Sequence, residues 1–281
     1  MSNTQSPPAS TRLPGPRVRV TLGLLLLAGA LFLVSAQLAA LPDAAIGTLC
    51  LLLALPLLWA LFWRARVRRR AFRDFYLKQD SSWHFWIRGG PAMLATRALM
   101  ALALALLLVI GLARAESQAF WVAVLVMALL WTPTYGLAKR LGARHAHPRF
   151  HRLLATRLHL SGWFGLLLAG LFSAALFAPV PDVRGLSLDE AVMRFSAGHP
   201  ARSQILDWGL AATDGLRALP HWLIQNLGHL VPGKILAVLA WSLVLVREWL
   251  FVWPLLLLFQ AAQDILDGRM TDRLREAGLK T

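Results

Sequence analysis

The sequence predicts an all-α, polytopic membrane protein of about six transmembrane helices in three hairpins, with amphipathic helices on the outer side. Three observations carry that reading. The chain is 57% hydrophobic and 15% charged over 281 residues, with mean hydropathy +0.57. Its apolar residues fall in runs of about 20, the length a helix needs to cross the hydrocarbon. Its basic residues fall in alternate connections between those runs, the pattern that sets orientation across a bilayer. The net charge of +15 is therefore read loop by loop and not as a nucleic-acid footprint.

Residues 1–19 are poor in apolar side chains and read as a disordered cytoplasmic tail. The first span is 20–41. A cleaved leader ending at Val34-Ser35-Ala36 is the alternative, set against an apolar run that continues to Leu41. The second span, 44–63, follows after Pro42-Asp43, and 20–63 forms hairpin 1. Residues 64–91 are a basic cytoplasmic loop. Spans 92–113 and 119–137 make hairpin 2, and 138–157 is a second basic loop containing histidines. The fifth span is 158–178. Residues 179–234 form the outer segment, 235–263 holds the sixth span at 243–262, and 264–281 is a cytoplasmic tail.

Lys and Arg number three in the N-terminal tail, eight in 64–91, six in 138–157 and four in 264–281. The opposite connections carry none, one (Arg114) and five. Both termini are therefore expected in the cytoplasm, with 179–234 outside. The Ala, Leu and Arg usage suggests a bacterium, hence its inner membrane. The single cysteine, Cys50, excludes an intrachain disulfide, a CxxC pair and a cysteine zinc site.

The even-numbered spans each hold a proline before a basic exit: Pro56, Pro133 and Pro254. Each proline frees a carbonyl and is a candidate kink. Either the chain repeats a unit of straight helix, turn, kinked helix and basic loop, or the prolines reflect their general frequency in membrane helices. An odd number of hairpins argues against paired inverted repeats.

In the outer segment, Ser187-Leu188-Asp189-Glu190 is a capping-box pattern, predicting a short helix to about Ala197. A second helix is expected from about 202 to 229, with Leu206, Leu210, Thr213, Leu216, Leu223 and Leu227 on one face. Asp207, Asp214 and Arg217 are expected on the other, and Pro220 is expected to bend the helix. Such helices lie on the bilayer or cover the outer ends of the spans. Docking of a periplasmic partner is the functional alternative.

Candidate site residues are few. Arg247 and Glu248 interrupt the last apolar run; Arg97 lies near the start of the third span. The pair reads as an interfacial anchor, as a buried ion pair to another helix, or as a proton or ion relay. Adjacent helical residues point about 100° apart, so pairing with each other is expected to be poor. His145, His147 and His151 suggest a metal cluster by count, but Arg144, Arg149 and Arg152 beside them disfavour it and suit anionic headgroups. Arg66, Arg68, Arg69, Arg70 and Arg73 alternate with aromatics, which fits a basic amphipathic helix on the anionic leaflet; nothing there reads bases, so nucleic acid is not the expected partner. Trp83, Phe85 and Trp86 mark the interface before the third span. His159 would suit a haem ligand, with His84 the nearest second histidine by depth. His221, Gln225 and His229 share a helical face. No metal or cofactor is expected. Walker, GxSxG and HExxH motifs are absent from the sequence.

Arg247 near the start of the last span, Pro254-Leu-Leu-Leu-Leu, then Asp267-Gly268-Arg269 with Arg273 and Arg275, resembles a stretch of uncharacterised inner-membrane proteins encoded in integrative and conjugative elements. Those proteins also carry an outer helical region before this span. The resemblance implies an accessory membrane component of a DNA-transfer apparatus, with no catalytic residues to carry over.

The expected function is a non-enzymatic scaffold or accessory subunit of a larger membrane complex, with other membrane or periplasmic subunits and anionic lipid as partners. A small-solute or ion transporter using Arg247/Glu248 and a membrane haem protein or enzyme are the alternatives.

Overall fold

The structure is a computed structural model, described for residues 15–76, 91–115, 117–145, 151–177, 180–196, 201–227 and 233–268. Among these residues all regular structure is helical. The helices are α1 (Pro16–Gln37), α2 (Asp43–Tyr76), α3 (Pro91–Ala113), α4 (Gln118–His145), α5 (His151–Phe177), α6 (Leu188–Ser196), α7 (Gln204–Leu227) and α8 (Gly233–Leu266). A 3-10 turn, Leu38–Ala40, follows α1.

Six of them, all but α6 and α7, are long and apolar enough to cross a membrane. Five of them are also longer than the expected spans; α1 has the expected 22 residues but is shifted, ending at Gln37 and not at the expected Leu41. α2 continues past Trp63 through the basic stretch to Tyr76, so Arg66, Arg68, Arg69, Arg70 and Arg73 all lie on one helix with the second span. α8 has 34 residues, about 51 Å at the helical rise, against a hydrocarbon thickness of about 30 Å. Pro56, Pro133 and Pro254 sit inside α2, α4 and α8, each of which continues through its proline.

Short links do not decide which helices pack. The most extensive interfaces between long helices pair α2 with α3 and α4 with α5, which the longer connections join. α8 is the hub, touching α1, α2, α3, α5 and α7. Every residue of α8 from Pro254 to Ala261 is consequently buried, Phe259 completely. Trp131 of α4 is also fully buried, 5.6 Å from the Phe259 ring and stacked at 6.5 Å on Trp163 of α5.

The perimeter reverses the usual order of a protein in water. Leu26, Leu33, Leu55, Leu99, Leu166 and Val238 all point outward and are exposed. Large apolar side chains exposed on five of the long helices would be costly in water and would cost nothing against hydrocarbon.

The described residues between α5 and α8 fold into a small module of their own. Ser187 caps α6 as expected: the Glu190 carboxylate accepts from the Ser187 N–H at 2.8 Å, and Ser187 Oγ accepts from the Glu190 N–H at 3.3 Å. The bonds that the carboxylate accepts, from the Ser187 N–H and from the Ser187 hydroxyl at 2.9 Å, hold the Glu190 carboxyl below its ordinary pKa. Val183, Ala191, Phe195 and Ala218 close a core between α6 and α7. Gly185, at φ +70°, supplies the left-handed turn before α6. The turn is stitched to α7: the Val183 N–H donates to Gln225 Oε1 at 2.8 Å, and the Gly185 N–H donates to Asn226 Oδ1 at 2.8 Å. α7 continues through Pro220.

Candidate functional site

α7 lies across one end of the bundle, fixed at two points. Asp43, the first residue of α2, accepts from the Ser203 hydroxyl and from the Ile205 N–H, while the Arg202 N–H donates to the Ala39 carbonyl at 3.0 Å. Farther along, Arg114, just past α3, donates to the Leu210 carbonyl at 2.9 Å and forms an ion pair with Asp214. Asp214 therefore does not share a solvent face with Asp207 and Arg217. It is 2% exposed. Leu206, Leu210 and Asp214 follow each other at i+4 spacing, which puts the carboxylate in the apolar stripe, where only a buried cation could hold it.

Beneath α7 is a cavity of about 620 Å³, bounded by the ends of α3, α4 and α5 and by residues 241–251 of α8. Its charged and titratable groups among the described residues are Arg114, Asp214, Arg217, His221, Arg247 and Glu248. Its walls are apolar, with Ile110, Phe120, Leu171 and Phe251 prominent. Among the described residues it gathers three guanidiniums against two carboxylates. Burial lowers the Arg114 pKa; Asp214 opposes that shift, and Arg247 and Arg217 add to it. His221 is held below its ordinary value by burial, then by Arg217 and Arg247. Its ring stacks on Phe195 at 5.7 Å, and the Arg217 guanidinium lies 5.6 Å over the same Phe195 ring.

The expectation that Arg247 and Glu248 pair poorly is overturned. Arg247 Nε donates to Glu248 Oε1 at 2.8 Å, and Nη2 reaches the same oxygen. The backbone directions do diverge, but the long arginine stem folds across the helix surface and closes the gap. The depth of the pair follows from its neighbours. Phe251, one turn further along α8, packs at Gly111 in the last turn of α3 and lies 5.4 Å from Phe120 in the first turn of α4. Arg247 and Glu248 are thus level with the ends of α3 and α4 and face the cavity.

The other candidates land apart from this site. Arg97 is in the second turn of α3, where Nη1 contacts Met100 Sδ at 3.5 Å. Arg66 lies 5.2 Å over the Trp63 ring. Arg69 is half-buried; the side chains of Arg68, Arg70 and Arg73 lie outside the described residues. Arg144 and His145 are exposed in the last turn of α4, and His151 begins α5. His147, Arg149, the Arg152 side chain, His84, His229 and the aromatics 83–86 are outside the described residues. Among the described residues no three His, Cys, Asp or Glu side chains gather as a metal site. Gln225 is occupied with the Val183 turn.

His159 is buried in α5, with Trp131 edge-on at 4.4 Å and Tyr135 at 5.4 Å. It belongs to a polar layer in the bundle that composition alone does not announce. There Trp131 Nε1 donates to Gln263 Oε1 at 2.9 Å, Trp163 Nε1 donates to Thr134 Oγ1 at 3.1 Å, and Gln260 Nε2 donates to Asp264 at 3.3 Å. Each of these bonds fixes one helix against another or one turn against the next inside an apolar bundle.

The fold and the site together define a class: a chain all-helical among the described residues, six of whose helices are compatible with a multi-pass membrane protein, with a charged cavity capped by α7. No protein family, curated protein or solved structure matches the chain.

Proposed function

We propose that the chain is a non-enzymatic subunit of a larger membrane complex, threaded through a bacterial inner membrane as three helical hairpins with both termini in the cytoplasm. The observation that carries the subunit reading is the outward side of α5. It is the least enclosed of the six long helices. Ser161, Gly165, Ala169 and Ser173 are all exposed on it at four-residue spacing. Small residues at that spacing let a second helix approach closely, which is how helices associate where lipid removes the hydrophobic drive. On this reading the basic ends of α2 and α4 meet anionic headgroups. The narrower form of the proposal, carried by the resemblance of the C-terminal segment, is an accessory component of a conjugative DNA-transfer apparatus.

Affinity purification in mild detergent tests the subunit reading. The wild type is expected to bring down a stoichiometric membrane partner, and Gly165→Leu to lose it at unchanged expression. A monodisperse monomer without partners contradicts it. Transfer frequency from donor cells lacking the gene tests the narrower form; an unchanged frequency removes it.

The cavity favours a second reading, transport of a small solute through Arg247 and Glu248. Against a through-path stands the enclosed stretch of α8 from Pro254 to Ala261, which closes the bundle directly beneath. Glu248→Gln is expected to abolish flux if that pair carries the solute; undiminished flux would take it out of the mechanism.

A further inference from the structure

The cavity beneath α7 is lined by both charged and apolar side chains. Three guanidiniums and two carboxylates line it among the described residues. Arg114 Nη2 is engaged by Asp214 and the Leu210 carbonyl while its buried Nε has no partner among the described residues, and Arg247 gives two donors to Glu248, leaving about three of its five N–H groups. Arg217 is different: its guanidinium lies over the Phe195 ring and ion-pairs with no described carboxylate. Its apolar lining includes Leu107 and Ile110 from α3, Leu171 and Ala174 from α5, and Val244 from α8. Ala174 and Val180 are exposed, so the cavity opens at the side of the bundle beside α5. Its 620 Å³ lies within the range of sites that enclose a ligand of a few hundred daltons.

We propose that this cavity binds an anionic amphiphile, its carboxylate or phosphate head on Arg217 and Arg247 and its hydrocarbon tail along α3, α5 and α8. A small inorganic anion would leave the apolar walls unfilled, and a neutral lipid would leave Arg217 without a counter-charge from a described residue in a partly desolvated space. The opening beside α5 gives a tail direct access from the surrounding lipid. The assignment goes beyond the subunit reading and stands whether or not a protein partner exists.

The test uses the full-length protein in phosphatidylcholine nanodiscs and a dansyl-labelled undecanoate probe, displaced by four competitors. Oleate and lysophosphatidate are expected to displace the probe, and whichever acts at lower concentration identifies the head as carboxylate or phosphate. Monoolein and inorganic phosphate are expected to need at least tenfold more. Arg217→Gln is expected to weaken the probe tenfold or more. Ala174→Trp, which narrows the opening without altering charge, is expected to abolish binding. Thermal unfolding of both variants verifies that they are folded. Monoolein competing as well as oleate would overturn the anionic head, and phosphate competing as well as lysophosphatidate would overturn the tail. Unaltered probe binding in both folded variants would overturn the site.

Discussion

Replacing Asp214 with leucine removes the carboxylate that neutralises Arg114 and leaves the guanidinium beside Arg217 and Arg247. Taking one partner from a buried ion pair costs about 3–5 kcal/mol. The Arg114 side chain is 19% exposed and borders the cavity, so water relieves part of that cost and about 2–3 kcal/mol is expected. At about 1.4 kcal/mol per factor of ten, the docking of α7 weakens roughly 30- to 150-fold. The double variant Arg114→Met/Asp214→Leu removes both charges and keeps most of the volume, and is expected to recover to within about tenfold of wild type. Amide hydrogen exchange in residues 204–216, read peptide by peptide, measures this directly because it reports local opening. Unchanged protection in Asp214→Leu, or a double variant as poorly protected as the single one, would refute the clamp.

Three smaller perturbations probe other joints. Ser203→Ala deletes the hydroxyl that binds Asp43 and accepts from the Leu206 N–H at 3.2 Å; a loss of about 1 kcal/mol is expected, as for other helix caps, seen as faster exchange confined to the first turn of α7. Gly142→Ala would place a methyl 2.8 Å from the His151 carbonyl oxygen, so the ends of α4 and α5 must part; a cost of about 1–3 kcal/mol should lower the thermal midpoint, whereas Gly136→Ala, with nothing within 4 Å, should not. His221 is depressed in the folded state, so between its folded and unfolded pKa values the unfolded chain binds more protons. Its contribution is present above about pH 6.5 and is lost as pH falls through and below that value. His221→Gln should flatten the pH dependence of α7 protection in that range.

The long helices were legible because they rest on a property that needs no partner: about 20 apolar residues in a row. The α6 cap was legible for a similar reason, since Ser187 and Glu190 satisfy each other locally. The cavity was not legible, because it depends on which helices become neighbours. Arg114 reads as a stray outer cation until Leu210 and Asp214 are laid against it. The i+4 step from Leu206 through Leu210 to Asp214 was the signal that could have shown the buried carboxylate, but it was outweighed by the expectation that charge faces water. Arg247 and Glu248 failed as a prediction for a different reason. Helical geometry fixes where Cβ points, and says little about where a long, flexible guanidinium stem ends. The His159 layer was hidden again by context: Gln260, Gln263 and Asp264 look like a polar helix exit in sequence, yet they are buried because α8 is surrounded by its neighbours.

Orientation is the claim on which the rest of this account stands, and cysteine accessibility tests it most directly. On a Cys50→Ala background, Met193→Cys places a thiol on the exposed side of α6, and Ala143→Cys places one on the exposed last turn of α4. A membrane-impermeant maleimide applied to spheroplasts should label the Met193→Cys variant at once and the Ala143→Cys variant only after permeabilisation. Labelling of the Ala143→Cys variant in intact spheroplasts, with the Met193→Cys variant protected until lysis, would contradict it.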